Sequence, residues 1–171
     1  MALREIRTEE DGVLYKTSKP VTAFNSHIGM IIDDMRDTLI DSGGVGLAAP
    51  QVGVLRRIVL VMDINKEDLT PEEQIVELVN PEIISAEGEQ TGPEGCLSIP
   101  GKYGIVTRPE TVTVSAYDRN GNKFEYTGEG YTARAFCHEI DHLDGHLYTE
   151  FVQRMLTDEE IEEMLSASEE E

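Results

Sequence analysis

The sequence predicts an α+β fold. Two runs rich in β-branched residues, "RIVLVMD" and "QIVELVN", and one long alternating stretch, "TVTVSAYDRNGNKFEYT", carry strand patterns. Helical periodicity is confined to separate segments before and after them, which is the arrangement of strands and helices kept apart.

Taken in order, the first element is a helix from Asn25 to Ile40, where Ile28, Ile31, Ile32, Met35 and Leu39 fall on one face. Asn25 or Ser26 offers the capping side chain, and Gly43 and Gly44 stop the helix. The glycine-punctuated "GGVGLAAPQVG" comes next, then the two short buried strands, with Pro81 marking a turn after the second. Apolar and polar residues alternate on both sides of Asn120-Gly121, a pair that tolerates the positive backbone angles of a type I′ turn, so a hairpin is expected. Gly128 and Gly130 separate it from a helix over about Thr132 to Leu143, in which Ala133, Phe136, Ile140 and Leu143 are spaced for burial and after which Gly145 stands. The last segment, "LTDEEIEEMLSASEEE", opens with a capping box of Thr157 and Glu160 and places Ile161, Met164 and Leu165 on one face. It reads as a short C-terminal helix whose three terminal glutamates fray into solvent.

The length of 171 residues suits one domain spanning the chain, and neither an internal repeat nor a Pro/Ser-rich linker divides it. Hydrophobic residues at 39% and charged residues at 28% are a globular composition. The longest apolar run, Ile58 to Met62, is strand-sized and well short of the roughly 18 residues of a membrane span. The start, "MALREIRTEEDG", interleaves charges from the fourth residue, so no secretory signal is expected and a cytoplasmic location is. In that reducing compartment Cys96 and Cys137 are expected to bind metal or to be buried, in preference to forming a disulfide. With 34 Asp plus Glu against 14 Lys plus Arg, the net charge of -20 repels phosphate backbones and anionic lipid. No direct nucleic-acid or membrane partner is expected, and the acidic tail over about 157–171 is unsuited to docking on RNA.

The chemistry gathers in "CHEIDHLDGHLY", Cys137 to Tyr148. At about 100 degrees per residue, His138 and His142 lie only about 40 degrees apart around a helix and one turn along it, so both imidazoles can reach one divalent ion. Glu139 falls at the rim of that face, where it can touch a metal-held water without ligating the metal. Several residues compete for the remaining ligand position. Tyr148 occupies the place of a metzincin third histidine, and His146 falls two residues too early. Glu162 lies at a thermolysin-like distance, but in a short acidic helix whose glutamates read as a solvated face. Cys137 points roughly 100 degrees away from His138 and about 140 degrees from His142, into packing. Cys96, set in "GPEGCLSIPG", would complete a Cys-His-His set with one position left for water, although an isolated cysteine also reads as a small buried hydrophobe.

Three stretches in this order resemble the peptide deformylases: "GVGLAAPQ" from Gly44 to Gln51, "EGCLS" from Glu94 to Ser98, and "HEIDH" from His138 to His142. The resemblance runs from "ALREIR" through "HLDGHLY" and fades in the acidic tail. It implies antiparallel strands packed around a central helix that carries the HExxH motif. It implies Cys96, His138 and His142 as ligands of a divalent ion, commonly Fe2+ in the cell with Zn2+ or Ni2+ also found, and Glu139 as acid/base. It assigns the Gln51 side-chain amide and the Leu97 backbone N–H to the developing oxyanion. Gly46 is the implied backbone partner of the substrate peptide, Glu94 and Gly95 are further substrate contacts, and Val45 and Ala135 line a methionine pocket.

The implied reaction removes the formyl group from the N-terminal formyl-methionine of newly made polypeptides and releases formate. Two other readings stand beside it: an HExxH protease that cleaves internal peptide bonds, and a silent metal-binding domain closed by a fourth ligand. Two positions depart from the family pattern. Cys137 stands where Gln is frequent, and Tyr103 stands where some members carry Arg. Asp141 and Arg108 are expected to pair and brace the helix.

Overall fold

The computed structural model describes residues 2–169. In chain order they form α1 (Ser26–Ser42), β1 (Gly46–Ala48), β2 (Ile58–Met62), the short α2 (Pro71–Gln74), β3 (Ile75–Glu87), β4 (Gln90–Cys96) and β5 (Ile99–Arg108). There follow β6 (Thr111–Tyr117), β7 (Lys123–Glu129), α3 (Tyr131–Leu143), β8 (Arg154–Met155) and α4 (Asp158–Glu169). Every strand pairing is antiparallel: one sheet has the order β1-β2-β3-β6-β7 and the other β4-β5-β8. The fold is α+β. Among the described residues no helix is long and apolar enough to cross a membrane.

Strand β2 shows why the first sheet sits where it does. Its residues are apolar without alternation because both faces are covered: Ile58 and Leu60 pack with Ile28, Ile32, Met35 and Leu39 of α1. Val59 and Val61 pack with Ala133, Phe136 and Ile140 of α3. Each buried aliphatic side chain of this kind contributes on the order of 1.5–3 kcal/mol through removal from water. A smaller core of Leu14, Ile99, Val106, Leu147 and Tyr148 seats the second sheet.

Helix ends follow the sequence. Asn25 accepts a hydrogen bond from the Ile28 N–H and Gly43 closes α1 with φ of 72°. Ahead of α4, the N–H of Glu160 donates to the Thr157 hydroxyl at 3.2 Å while the Thr157 N–H donates to Glu160 at 3.0 Å. Helix α4 extends to Glu169; Glu170 and Glu171, also expected to fray, lie outside the described residues.

Two expectations are corrected. Pro81 marks no turn: β3 runs through it, and the missing proline N–H falls where the β3–β6 register shifts. The break is stabilised from the side, since Asn80, at φ 51°, accepts from the Val21 N–H and donates to the Val21 carbonyl. The β6–β7 hairpin is present, but its turn is not type I′, because Gly121 has φ of 87° and Asn120 has no positive φ. Asp118 decides this by accepting from the N–H groups of both Asn120 and Asn122 with its side chain, and from Gly121 with its carbonyl. The second sheet was not anticipated beyond a strand-like run ahead of Arg108, because Gly92, Pro93, Gly95, Gly101 and Gly104 dilute the pattern of β4 and β5. Packing demands some of those glycines: a Cβ on Gly104 would collide with Val152.

Candidate metal centre

Helix α3 is anchored at its start by Asp63, a buried carboxylate that accepts from the Thr132 hydroxyl at 2.9 Å and from the Tyr126 hydroxyl at 2.5 Å. This sets the helix against β1 and β2 with eleven of its thirteen residues buried. His138 and His142, one turn apart, place their ring centroids 5.0 Å from each other. Cys96 arrives from the end of β4, immediately before the tight turn into β5, and its Sγ lies 3.4 Å from His142 Nε2. One ligand atom from each of Cys96, His138 and His142 falls within 4.8 Å of the others. Among the described residues this is the group of Cys, His, Asp and Glu side chains that converges in that way.

The competing ligand candidates lie elsewhere. Glu162 is exposed on α4, and His146 is exposed and contacts Glu150 at 3.3 Å. Cys137 is packed in the core with α3 and the first sheet, and burial pushes its thiol up to about 11.

His138 is oriented from behind by Glu94. The carboxylate Oε2 accepts from His138 Nδ1 at 2.7 Å and from Arg108 Nη2 at 2.8 Å; Oε1 accepts from Arg108 Nε at 3.1 Å and Arg134 Nη1 at 2.9 Å. Burial alone would raise the Glu94 carboxyl, but the hydrogen bonds from His138 and Arg108 outweigh it and hold the group at about 2. An ionised Glu94 can only accept, so the proton sits on His138 Nδ1 and Nε2 faces the site. Arg108 also meets Asp141 at 2.8 Å, the pair expected to brace the helix. For His138, burial lowers the proton affinity, while Glu139, Cys96 and Glu94 outweigh it and raise it; His142, buried among cations, is lowered.

Gln51 is almost wholly buried and its amide is oriented by the backbone: Oε1 accepts from the Ala48 N–H at 2.9 Å. Nε2 therefore faces the other way, 3.1 Å from Ser98 Oγ and 3.6 Å from Cys96 Sγ. Glu139 Oε2 lies 3.9 Å from His138 Nε2, and its Oε1 is buried with no hydrogen-bond partner among the described residues. Burial pushes the Glu139 carboxyl up to about 7. The His142 Nδ1 likewise has no described partner.

These side chains open on a cavity of about 380 Å³. Val45, Gly46, Gln51, Glu94, Gly95, Cys96, Leu97, Ala135, His138 and Glu139 line it, and His142 lies outside its lining. Glu94, expected as a substrate contact, borders the cavity while its carboxylate is hydrogen-bonded to His138 and the two arginines. Arg134 escaped the sequence reading; its one signal is a place four residues before His138 on the same helical face. Tyr103 and Tyr131 also border the cavity.

The donors fit a divalent cation of borderline or soft character: one thiol and two imidazoles converge, the outer nitrogen of one imidazole is fixed by a carboxylate, and a buried carboxylate oxygen beside them has no other described partner. A helix-borne HExxH pair, a thiol from a hairpin and a solvent-reaching cavity together define a metal-dependent hydrolase.

Comparison with known proteins narrows the class. The polypeptide deformylase family profile matches residues 3–157. A peptide deformylase of Lachnoclostridium phytofermentans is 57% identical over 171 residues, covering 100% of this chain and 99% of that protein. One of Caldanaerobacter subterraneus subsp. tengcongensis is 54% identical over 162 residues, covering 95% and 97%. The crystal structure of a peptide deformylase from Legionella pneumophila superposes with a TM-score of 0.81 at 38% identity, covering 99% of each chain. That from Thermotoga maritima gives 0.82 at 35% identity, covering 90% of this chain and 99% of that one. The chain belongs to the polypeptide deformylase family.

Proposed function

We propose that the chain removes the formyl group from N-terminal formyl-methionine on nascent polypeptides and releases formate, at a metal centre held by Cys96, His138 and His142. The observation that carries this reading is the convergence of those three donors within 4.8 Å beside the buried Glu139. When bound there, a divalent cation supplies Lewis acidity that makes water a usable nucleophile near neutral pH. The thiolate favours Fe, Zn or Ni over Mg or Ca, and the family resemblance favours Fe2+ in the cell.

The protein's own groups supply the rest. Glu139, poised at about 7 by burial, takes a proton from the attacking water and returns it to the departing amine. Gln51 Nε2, aimed past Cys96 by the Ala48 N–H, and the Leu97 backbone N–H donate to the oxyanion that forms on the formyl oxygen. Glu94 holds His138 in the tautomer that leaves Nε2 to the cation, with Arg108 and Arg134 keeping that carboxylate ionised. Strand β1 lies at the sheet edge, so Gly46 can pair through its backbone with an extended peptide whatever the downstream side chains are. Val45 and Ala135 form the walls against the methionine side chain, with Gly95 beside them. The strands wrap α3 as a central element, a reading supported by its contacts with strands of both sheets.

The test is anaerobic assay of formate release from a formyl-Met peptide, with bound metal measured on the same sample. Cleavage of internal peptide bonds without formate would instead support the protease reading, and absence of both reactions in metal-loaded protein would support a silent domain.

A further inference from the structure

Gly46 is the first residue of β1 and is held in register opposite Val61 of β2. A Cβ built there would stand 2.5 Å from Glu139 Oε2 and 2.9 Å from both its Cδ and its Cγ. Real Cβ contacts do not occur at such distances, so one partner must move. The Cγ contact means that rotating the carboxylate alone would not relieve the overlap. Glu139 is itself only 5% exposed and sits on a helix packed against β1 and β2. The side chain that must yield is thus the proposed acid/base.

We propose that Gly46 is a positioning residue for Glu139: the missing side chain is the space that the carboxylate occupies beside His138. This rests on the deformylase reading above and is separate from backbone pairing with substrate. In a strand a Cβ projects off the plane of the sheet, whereas an added peptide strand bonds within that plane. Alanine at this position therefore presses on Glu139 and leaves the pairing edge intact.

The experiment compares Gly46→Ala, Glu139→Ala and the double variant, each loaded with zinc. Gly46→Ala should lower kcat about 100-fold, the effect of an ångström-scale misplacement, while KM moves by less than about threefold. Against Glu139→Ala, whose side chain ends at Cβ and lacks all three contacted atoms, the same Gly46→Ala change should alter the residual kcat by less than about threefold, since no overlap is left. Metal content should stay at the wild-type level, and a crystal structure of Gly46→Ala should show the Glu139 carboxylate displaced from His138. The inference is overturned if Gly46→Ala keeps wild-type turnover, if its loss lies in KM, or if it costs as much in the Glu139→Ala background as in the wild type. Should Gly46→Ala fail to fold, recovery of folding in the double variant supports the inference, and failure of both refutes it. Lack of formate release by the wild-type protein would instead refute the deformylase reading.

Discussion

Glu94→Gln is the most informative single perturbation, because this carboxylate joins the stability of the fold to the order of the site. It accepts from Arg108 through both oxygens, from Arg134 and from His138, and its side chain is 3% exposed. The amide keeps the shape but turns one acceptor into a donor facing other donors and leaves Arg134 buried without its counter-charge. Holding the carboxyl at about 2 against an ordinary 4.5 corresponds to roughly 3 kcal/mol of native-state stabilisation, and breaking a buried pair costs about 3–5 kcal/mol. We expect a loss of about 3 kcal/mol at pH 7, measured by urea unfolding of metal-free protein so that metal linkage does not contribute. The pH dependence has a definite sign. Because the folded value lies below the unfolded one, the stabilisation is complete above about pH 4.5 and is lost as pH falls toward 2, with about 2 kcal/mol gone by pH 3. The gap between wild type and variant should narrow by that amount on acidification. A gap under about 1 kcal/mol at pH 7, or one unchanged between pH 7 and pH 3, would refute the argument.

The remaining predictions concern the site itself. Cys96→Ser should lose bound metal or nearly all formate release, and an undiminished enzyme with full metal content would remove Cys96 from the donor set. Glu139→Gln should keep its metal while kcat falls on the order of 10²–10⁴-fold; normal turnover would reject the acid/base role. Burial holds the Glu139 carboxyl at about 7 without a cation, and a nearby cation lowers it, so the acidic limb of kcat/KM should lie below 7 and should vanish in Glu139→Gln. In native metal-free protein a thiol reagent should modify Cys96 but not Cys137, which is buried and pushed up to about 11; rapid reaction of both would contradict the packing.

Local pattern carried much of this fold. The helix bearing His138 and His142 was legible because helical spacing alone puts them on one face, and Asn25, Gly43, Thr157 and Glu160 marked helix ends that depend on neighbouring backbone groups. Pro81 and Asn120 misled because their conformations were settled by partners elsewhere: a register shift braced by Val21 in one case, and the side chain of Asp118 in the other. Of β4 and β5 only a strand-like run ahead of Arg108 was legible, because glycine and proline erase the alternation on which strand recognition rests.

By itself the sequence determined that a helix would present two imidazoles with a glutamate beside them, since that follows from about 100 degrees of rotation per residue. It also determined the family, through three motifs whose order survives without any knowledge of the fold. Only the tertiary structure decided what those motifs do to one another. It brought the thiol of Cys96 to 3.4 Å from His142 across 46 positions of chain and set the Glu94 carboxylate behind His138 as its anchor. It also made Gly46 the space that Glu139 fills. Contacts of that kind depend on how strands and helices pack, and packing leaves no periodic trace in the sequence of either partner.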